Sequence, residues 1–482
     1  MTDRHAAFSL LAATIPLSLS CRGTPIVAIP EPADATTADA ARTDGGAPDD
    51  SSREASSPDA DADQSADADD AGNVFADVDA APPGSYCSLP GSVVWTALGP
   101  MVMPGGADAS AQDVSWLKLP VGFCAHYFGT VKTARQLRFS PTGDLFAASP
   151  TSGTTGGAGD GIAGIVILPD DNHDGNADSS NAFISGLPSV QGLMFANGYL
   201  YYQDNTTIRR VLYTGLRQPG TSEVVTSMTN WPQAFEHWPK VFDQAQDGAI
   251  YISNGGSQSD VCTASSPVRG AILKLNADGT TSVVAKGFRN PIAMRCEPHK
   301  NVCLVAELAL DYSWNAAGRE KVIPLRQGDD WGYPCCATGG VPYTGVVYSG
   351  TNAVPNCSGV AQDGDSFVIG HTPFGLDFET GKWPAPWTNR VFVTLHGDAG
   401  LWNGARVVAI ALDPNGMPLP ATELDSGSAN PDNMLEFATG WDDGKRDHGR
   451  PAPVAFAPDG RLFVGDDQRG AVIWIAPVDL MR

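Results

Sequence analysis

The chain of 482 residues predicts an all-β fold: a six-bladed β-propeller preceded by a signal segment and a disordered acidic linker. Three observations carry that expectation. One phrase, an apolar strand, a turn and a second apolar strand, recurs six times between about residue 135 and residue 478. Leu137-Arg-Phe-Ser-Pro-Thr-Gly-Asp-Leu-Phe146 and Val454-Ala-Phe-Ala-Pro-Asp-Gly-Arg-Leu-Phe463 are near twins, with weaker copies at Leu193 to Tyr201, Val241 to Tyr251, Ile292 to Leu304 and Leu376 to Phe392. A recurrence every ~50–80 residues with two strands per copy is the pattern of propeller blades. Segments rich in Val, Ile, Phe and Tyr are separated by Gly, Pro, Asn and Asp clusters, and no stretch shows helical periodicity long enough for a core helix.

Residues 1–21 read as a signal. Arg4 and His5 precede an apolar stretch, Ala6 to Leu19, too short to span a bilayer as a stable helix. The segment ends in Leu17-Ser-Leu-Ser-Cys21, which resembles a bacterial lipoprotein signal whose cysteine is lipidated; Ser18 stands where that pattern prefers Leu, and an ordinary secretory signal is the other reading. Either way the protein is expected outside the cytoplasm, lipid-anchored at the cell envelope or secreted. Residues 22–85 come next as an Asp/Ala-rich linker. Between Glu31 and Asp79 there are 15 acidic and 2 basic residues, which is 13 of the net charge of −24. Such a stretch cannot bury enough apolar surface to offset its ordering entropy. The absence of a basic patch argues against a nucleic-acid partner.

The propeller is assigned to residues 86–482. Tyr86 to about Lys132 leads into the first blade, and the apolar run Gly470 to Ala476 is expected to pair with that blade and close the ring, leaving no open sheet edge. Eight cysteines remain beyond Cys21, an even number that reads as disulfides in an exported chain. Cys296 and Cys303 flank a turn and are expected to face each other across a hairpin. Cys335 or Cys336 is expected to join Cys357, and Cys87 to join Cys124.

Four motifs occur in order: Gly287-Phe-Arg-Asn-Pro291, Trp331-Gly-Tyr-Pro334, Leu395-His-Gly397 and Arg450-Pro451. Together, over roughly residues 115–478, they resemble the glucose/sorbosone dehydrogenase family, nearer its sorbosone branch. The resemblance implies a six-bladed propeller that binds pyrroloquinoline quinone (PQQ) and calcium and oxidises a sugar or other alcohol, with an external electron acceptor. It also implies roles. His237, fourteen residues before Tyr251, matches the catalytic histidine; imidazole suits the general base that takes a hydroxyl proton. The carboxylate that orients this histidine in relatives is replaced by Gly256, with Ser257 and Asp260 nearby. Arg289 and Asn290 match the pair that meets the quinone, where a guanidinium offers a planar charge to the reduced oxygens. Arg450 aligns with an arginine facing a cofactor carboxylate, His371 or Thr372 falls at a further contact, and His396 stands at a cationic position over the cofactor. The family's calcium loop would start near Glu307, but Leu308 and Ala309 replace glycine and proline, and Arg319 replaces an acidic residue before Glu320.

A second calcium site is legible without any family. Asp170, Asn172, Asp174 and Asp178 place oxygens at positions 1, 3, 5 and 9 of a loop with Gly175 at its turn, the first part of an EF-hand-like loop, although Asn181 replaces the closing glutamate. No HExxH, nucleophile elbow or phosphate-cradling glycine loop occurs, and the run Gly153 to Gly161 reads as a flexible loop. Two rival readings stand beside a dehydrogenase: a non-catalytic cell-surface propeller binding carbohydrate or protein, and a calcium lactonase needing several inward carboxylates.

Overall fold

Apolar strands joined by tight turns form six antiparallel sheets of four or more strands in the computed structural model, beside a two-stranded ribbon of Cys336–Ala337 and Val341–Pro342, and the first strands of the six pack against one another in a closed circuit. The structure describes residues 81–105, 113–151, 161–227, 231, 237–256, 262, 268–309, 319–337, 340–343, 356–361, 365–398, 400–423 and 433–482. The signal segment, and the linker as far as residue 80, lie outside them; Ala81 and Ser85 are buried, with Ser85 bridged to Met481.

Five blades follow chain order. The first is Gln136–Phe139, Leu145–Ser149, Gly164–Leu168 and Asn181–Ser185. The second is Leu193–Ala196, Tyr199–Asp204, Thr207–Leu212 and Ser222–Ser227, and the third Phe242–Gln244, Ile250–Asn254, Ala271–Leu275 and Thr281–Lys286. The fourth is Asn290–Cys296, Cys303–Leu308, Glu320–Pro324 and Asp365–Phe367, and the fifth Pro373–Phe378, Arg390–Leu395, Arg406–Ala411 and Met434–Ala438. Each of the six sequence repeats falls on the first two strands of one blade. Many strands are buried on both faces, as in Gly164–Leu168 and Pro373–Phe378. Each sheet is covered by its neighbours, so these strands read as continuous apolar runs rather than alternating ones.

The sixth blade is made from both parts of the domain. Pro451–Phe456, Leu462–Asp466 and Ala471–Pro477 are joined by Phe123–Thr130 from the lead-in segment, and the sheet continues into the hairpin Val93–Thr96 and Gly99–Val102. This corrects the expected partner of the last apolar run. It does not pair with the first blade but with Phe123–Thr130, from Ala471↔Thr130 to Pro477↔Phe123. Both strands are almost wholly buried.

Four disulfides are present among the described residues: Cys87–Cys124, Cys262–Cys335, Cys296–Cys303 and Cys336–Cys357. Cys335, in the turn before Cys336–Ala337, joins Cys262, and Cys336 is the one that joins Cys357. Cys87–Cys124 fastens the lead-in segment to the ring-closing strand across a separation of 37 residues, a closure worth about 3–4 kcal/mol.

Asp365, on the outer strand of the fourth blade, is 1% exposed. Its Oδ1 accepts the Ala421 N–H at 2.7 Å, its Oδ2 has no partner, and burial pushes its carboxyl up to about 8. A folded pKa above the ordinary value of about 3.9 gives stability that is whole below that value and is lost as pH rises through the folded pKa. The urea midpoint of Asp365→Asn should therefore gain on wild type as pH rises from about 4 to about 8. A gap that does not widen with pH contradicts the assignment.

Candidate functional site

Antiparallel order fixes which loops meet. The connection entering each blade and the connection between its second and third strands lie at the same end of the ring. His237, Arg289, His371, Thr372 and Arg450 precede the first strands of the third to sixth blades, and Asn290 begins the first strand of the fourth. Gly256, Ala309, His396 and Asp467 come after second strands. The register sets them opposite one another: Asn290↔Leu308, Pro373↔Leu395 and Pro451↔Asp466.

His237 is 6% exposed, and its Nδ1 lies 3.1 Å from the Gly256 carbonyl oxygen. A carbonyl only accepts, so Nδ1 carries the hydrogen and the neutral ring presents Nε2 as its acceptor. A backbone oxygen is thus what orients this ring at Nδ1. No side chain fits at 256, because a Cβ there would meet Tyr333 Cε1 at 2.5 Å. Ser257 and Asp260 lie outside the described residues.

From Gly256 a hydrogen-bonded path crosses the face of the ring. The Gly256 N–H donates to the Arg289 carbonyl at 2.7 Å, and Arg289 Nη1 donates to the Ala309 carbonyl at 2.9 Å. The Ala309 and Gly370 N–H groups donate to the two Glu320 oxygens, each at 3.3 Å. Thr372 Oγ1 donates to the Gly370 carbonyl at 3.3 Å, and the His396 N–H donates to the Thr372 carbonyl at 2.8 Å. Thr372 has φ 46°, a left-handed conformation costly for a β-branched residue, held where its carbonyl meets His396. His396 Nε2 then lies 3.1 Å from both Asp467 oxygens; Arg450 Nε donates to Oδ1 at 3.1 Å, and Arg135 Nε forms an ion pair with Oδ2 at 3.2 Å without a hydrogen bond. His237, Arg289, Thr372, His396 and Arg450 are therefore brought into one network, and His371 adjoins it through the Gly397 N–H, which donates to its carbonyl at 3.3 Å. The side chain of His371 is turned to Glu423, at 2.8 Å.

Asp467 is the centre of this charge arrangement, and its side chain is fully buried. Burial alone would raise its carboxyl, but His396, Arg135 and Arg450 hold it well below the usual range. Burial, with Arg450 beside it, pushes His396 down to about 3. Burial thus favours the neutral imidazole of His396, at a position where the resemblance implies a cation in relatives, and Arg135 and Arg450 bring positive charge beside Asp467. Arg450 also lies 4.2 Å above the Trp402 ring, a packing that fixes its plane, and Nε is the only nitrogen of its guanidinium engaged among the described residues.

Sequence reasoning missed Asp467, Arg135 and Trp402. The signal for the first two is positional: Arg135, Arg289 and Arg450 each immediately precede a first strand, and Asp467 comes immediately after a second strand. Asn290 is 9% exposed and its Oδ1 has no partner, an unused acceptor beside Arg289.

Residues 310–318 of the loop expected to hold calcium lie outside the described residues, and Glu307 at its start is already engaged. Glu307 Oε1 accepts the Arg289 N–H at 2.8 Å and Oε2 lies 3.0 Å from Lys321 Nζ, so a buried ammonium already supplies the positive charge. Asp170, Asn172, Asp174 and Asp178 belong to the connection between third and fourth strands of the first blade, at the opposite end of the ring. Among the described residues no three His, Cys, Asp or Glu side chains are gathered as a metal centre, including the inward carboxylates of a lactonase.

Asp467→Asn would leave two buried guanidinium groups without their counter-charge, a loss of about 3–5 kcal/mol. The depressed values of His396 and Asp467 both give stability that is whole at neutral pH. The His396 part drains in both proteins as pH falls below about 6.5, and the Asp467 part, which only wild type has, drains below about 3.9. Urea titrations should show the variant's deficit large at pH 7 and shrinking in acid; an unchanged midpoint at pH 7 contradicts the arrangement.

Residues 129–306 match the model of a family described as a domain of unknown function, DUF7133. No curated protein matches the sequence. Solved structures with a similar fold include the carbohydrate-active enzyme family AA12 protein of Trichoderma reesei, at TM-score 0.58 and 16% identity over 75% of this chain and 97% of that one. The PQQ domain of pyranose dehydrogenase from Coprinopsis cinerea gives TM-score 0.58 and 15% identity over 77% and 98%. The soluble aldose sugar dehydrogenase of Escherichia coli, in its apo form, gives 0.52 and 13% over 74% and 99%. The chain shares the six-bladed propeller fold of these proteins.

Proposed function

We propose that this protein is a PQQ-dependent oxidoreductase that converts a CH–OH group of a sugar or other alcohol to a carbonyl. The observation that carries the reading is the continuous path from His237 through Arg289 to Arg450, which gathers an oriented imidazole and two buried guanidinium groups at one end of the ring. When bound, the quinone would supply the acceptor for the hydride leaving the substrate carbon. Arg289, with Asn290 beside it, and the unengaged nitrogens of Arg450 suit the anionic oxygens of such a planar tri-acid. His237 Nε2 takes the hydroxyl proton of the substrate. Its Nδ1–H, fixed on Gly256, keeps the ring in the tautomer able to do so and stabilises the imidazolium that results. Asp467 and Trp402 hold Arg450 in place, and an external acceptor would remove the electrons after each turnover.

The same reading places the domain outside the cytoplasm, tethered through a lipid on Cys21 or secreted. The four disulfides support an oxidising compartment. The alternative, a non-catalytic propeller binding carbohydrate or protein, draws its support from Lys321, which stands at Glu307 where calcium was expected.

Titration of the purified protein with PQQ, followed by tryptophan fluorescence, should show saturable binding. A dye-coupled assay over a panel of sugars should then show turnover that His237→Ala lowers by about 10²–10⁴-fold with PQQ affinity retained. No PQQ binding overturns the proposal; PQQ binding with turnover equal in His237→Ala removes the histidine from the mechanism.

A further inference from the structure

At the far end of the ring, the connection after Gly164–Leu168 is fastened to a neighbouring blade rather than to its own. Trp474 Nε1 donates to the Gly175 carbonyl at 2.8 Å, the Ala177 N–H donates to the Phe128 carbonyl at 2.7 Å, and Ser180 Oγ donates to the Thr130 carbonyl at 2.7 Å. Trp474 belongs to Ala471–Pro477, and Phe128 and Thr130 to Phe123–Thr130, the two strands that complete the sixth blade. His126 stacks on Trp474 with ring centroids 5.0 Å apart, which holds the indole in place. Gly175 has φ +89° and a Cβ there would meet Leu89 at 2.8 Å, so the turn against this seam needs glycine.

Within the loop, the Asp170 side chain is only 10% exposed. Its Oδ1 has no hydrogen-bond partner, and its Oδ2 is 4.0 Å from Arg461 Nη1, beyond hydrogen-bond reach. A carboxylate buried to this degree with an unused oxygen calls for a ligand. The next residues of the loop bring further oxygens: Asn172, Asp174, the Asn176 carbonyl and Asp178. That is the donor set and spacing of hard-cation loops, with glycine at the sixth position.

We propose that residues 170–178 bind a calcium ion that pins the first blade to the ring-closing sixth blade. Asp170 is the buried anchor. Asn172 Nδ2 now donates to Asp174 Oδ2 at 3.1 Å, and the Asp171 N–H donates to Asp178 Oδ2 at 2.5 Å. The ion replaces these internal contacts by drawing Asp174 and Asp178 toward Asp170. Asp171 is not a ligand, because it is paired with Arg217 at 2.5 Å. A cleft of about 490 Å³ bordered by Asp170, Asp171 and His173 gives the ion a route from solvent. Without the bidentate glutamate of the twelfth position, where Asn181 starts the next strand, affinity falls in the range of about 10⁻⁴ to 10⁻³ M found in exported modules.

The test needs neither cofactor nor substrate. Thermal unfolding of the metal-stripped full chain is followed with added calcium, and with magnesium at the same ionic strength as control. With calcium near 100 times the dissociation constant, Tm should rise by roughly 2–4 °C, and magnesium should leave it nearly unchanged. Asp174→Ala and Asp178→Ala, both at exposed positions, should fold and lose the calcium-dependent rise, and calorimetry should count one ion fewer per chain. A Tm indifferent to calcium overturns the proposal, and so does a rise that persists in the double variant.

Discussion

The antiparallel pairing of Ala471–Pro477 with Phe123–Thr130 is the constraint on which the structure depends. A propeller blade stacks on both neighbours, and an unclosed ring would expose two sheet faces and two edges. Drawing the closing strand from the far side of the sequence makes the last blade a joint between the two parts of the domain, and Cys87–Cys124 secures that joint from behind. Closure also decides what the loops can do. Arg135 comes from the first blade, His396 from the fifth, Arg450 and Asp467 from the sixth, and they meet only because the circuit is complete.

At that meeting point one carboxylate organises the chemistry. Asp467 neutralises part of the charge of two buried arginines, so the cost of burying them is offset without cancelling the positive field a tri-anionic ligand would feel. It also accepts from His396, whose burial favours the neutral ring, while burial raises the neighbouring Asp466 carboxyl to about 7. The other half of the network relies on backbone: the Gly256 carbonyl orients His237, and the Ala309 carbonyl receives Arg289. Backbone groups set by strand register give a more rigid scaffold than long side chains, and one of them orients the His237 imidazole.

Much of this was legible in the chain. The Pro-Thr-Gly and Pro-Asp-Gly turns marked the first hairpins of two blades, and weaker copies of the phrase marked the rest, because a tight turn between two buried strands leaves a strong local signal. The residues before first strands, Arg289 and Arg450, stood out through their motifs. Asp467 did not: an acidic residue ending an apolar strand looks like any solvent-facing turn until its cationic partners, which lie far away in sequence, are brought around it. The neutral state of His396 was hidden for the same reason, since burial and the nearness of Arg450 are properties of the folded ring. The partner of Gly470 to Ala476 was misassigned because sequence order favours the next blade, while closure uses a strand from before the first repeat. The choice between Cys335 and Cys336 needed the direction of each side chain, which spacing does not carry.

The central claim is that arginines from separate blades form one binding surface for a single anionic cofactor. A double-mutant cycle on PQQ affinity, using Arg289→Ala, Arg450→Ala and the pair, tests it most directly. The account predicts that each substitution weakens binding by about tenfold or more while the far-UV circular dichroism of the β-fold is unchanged. PQQ bound equally by wild type and all three variants would contradict it.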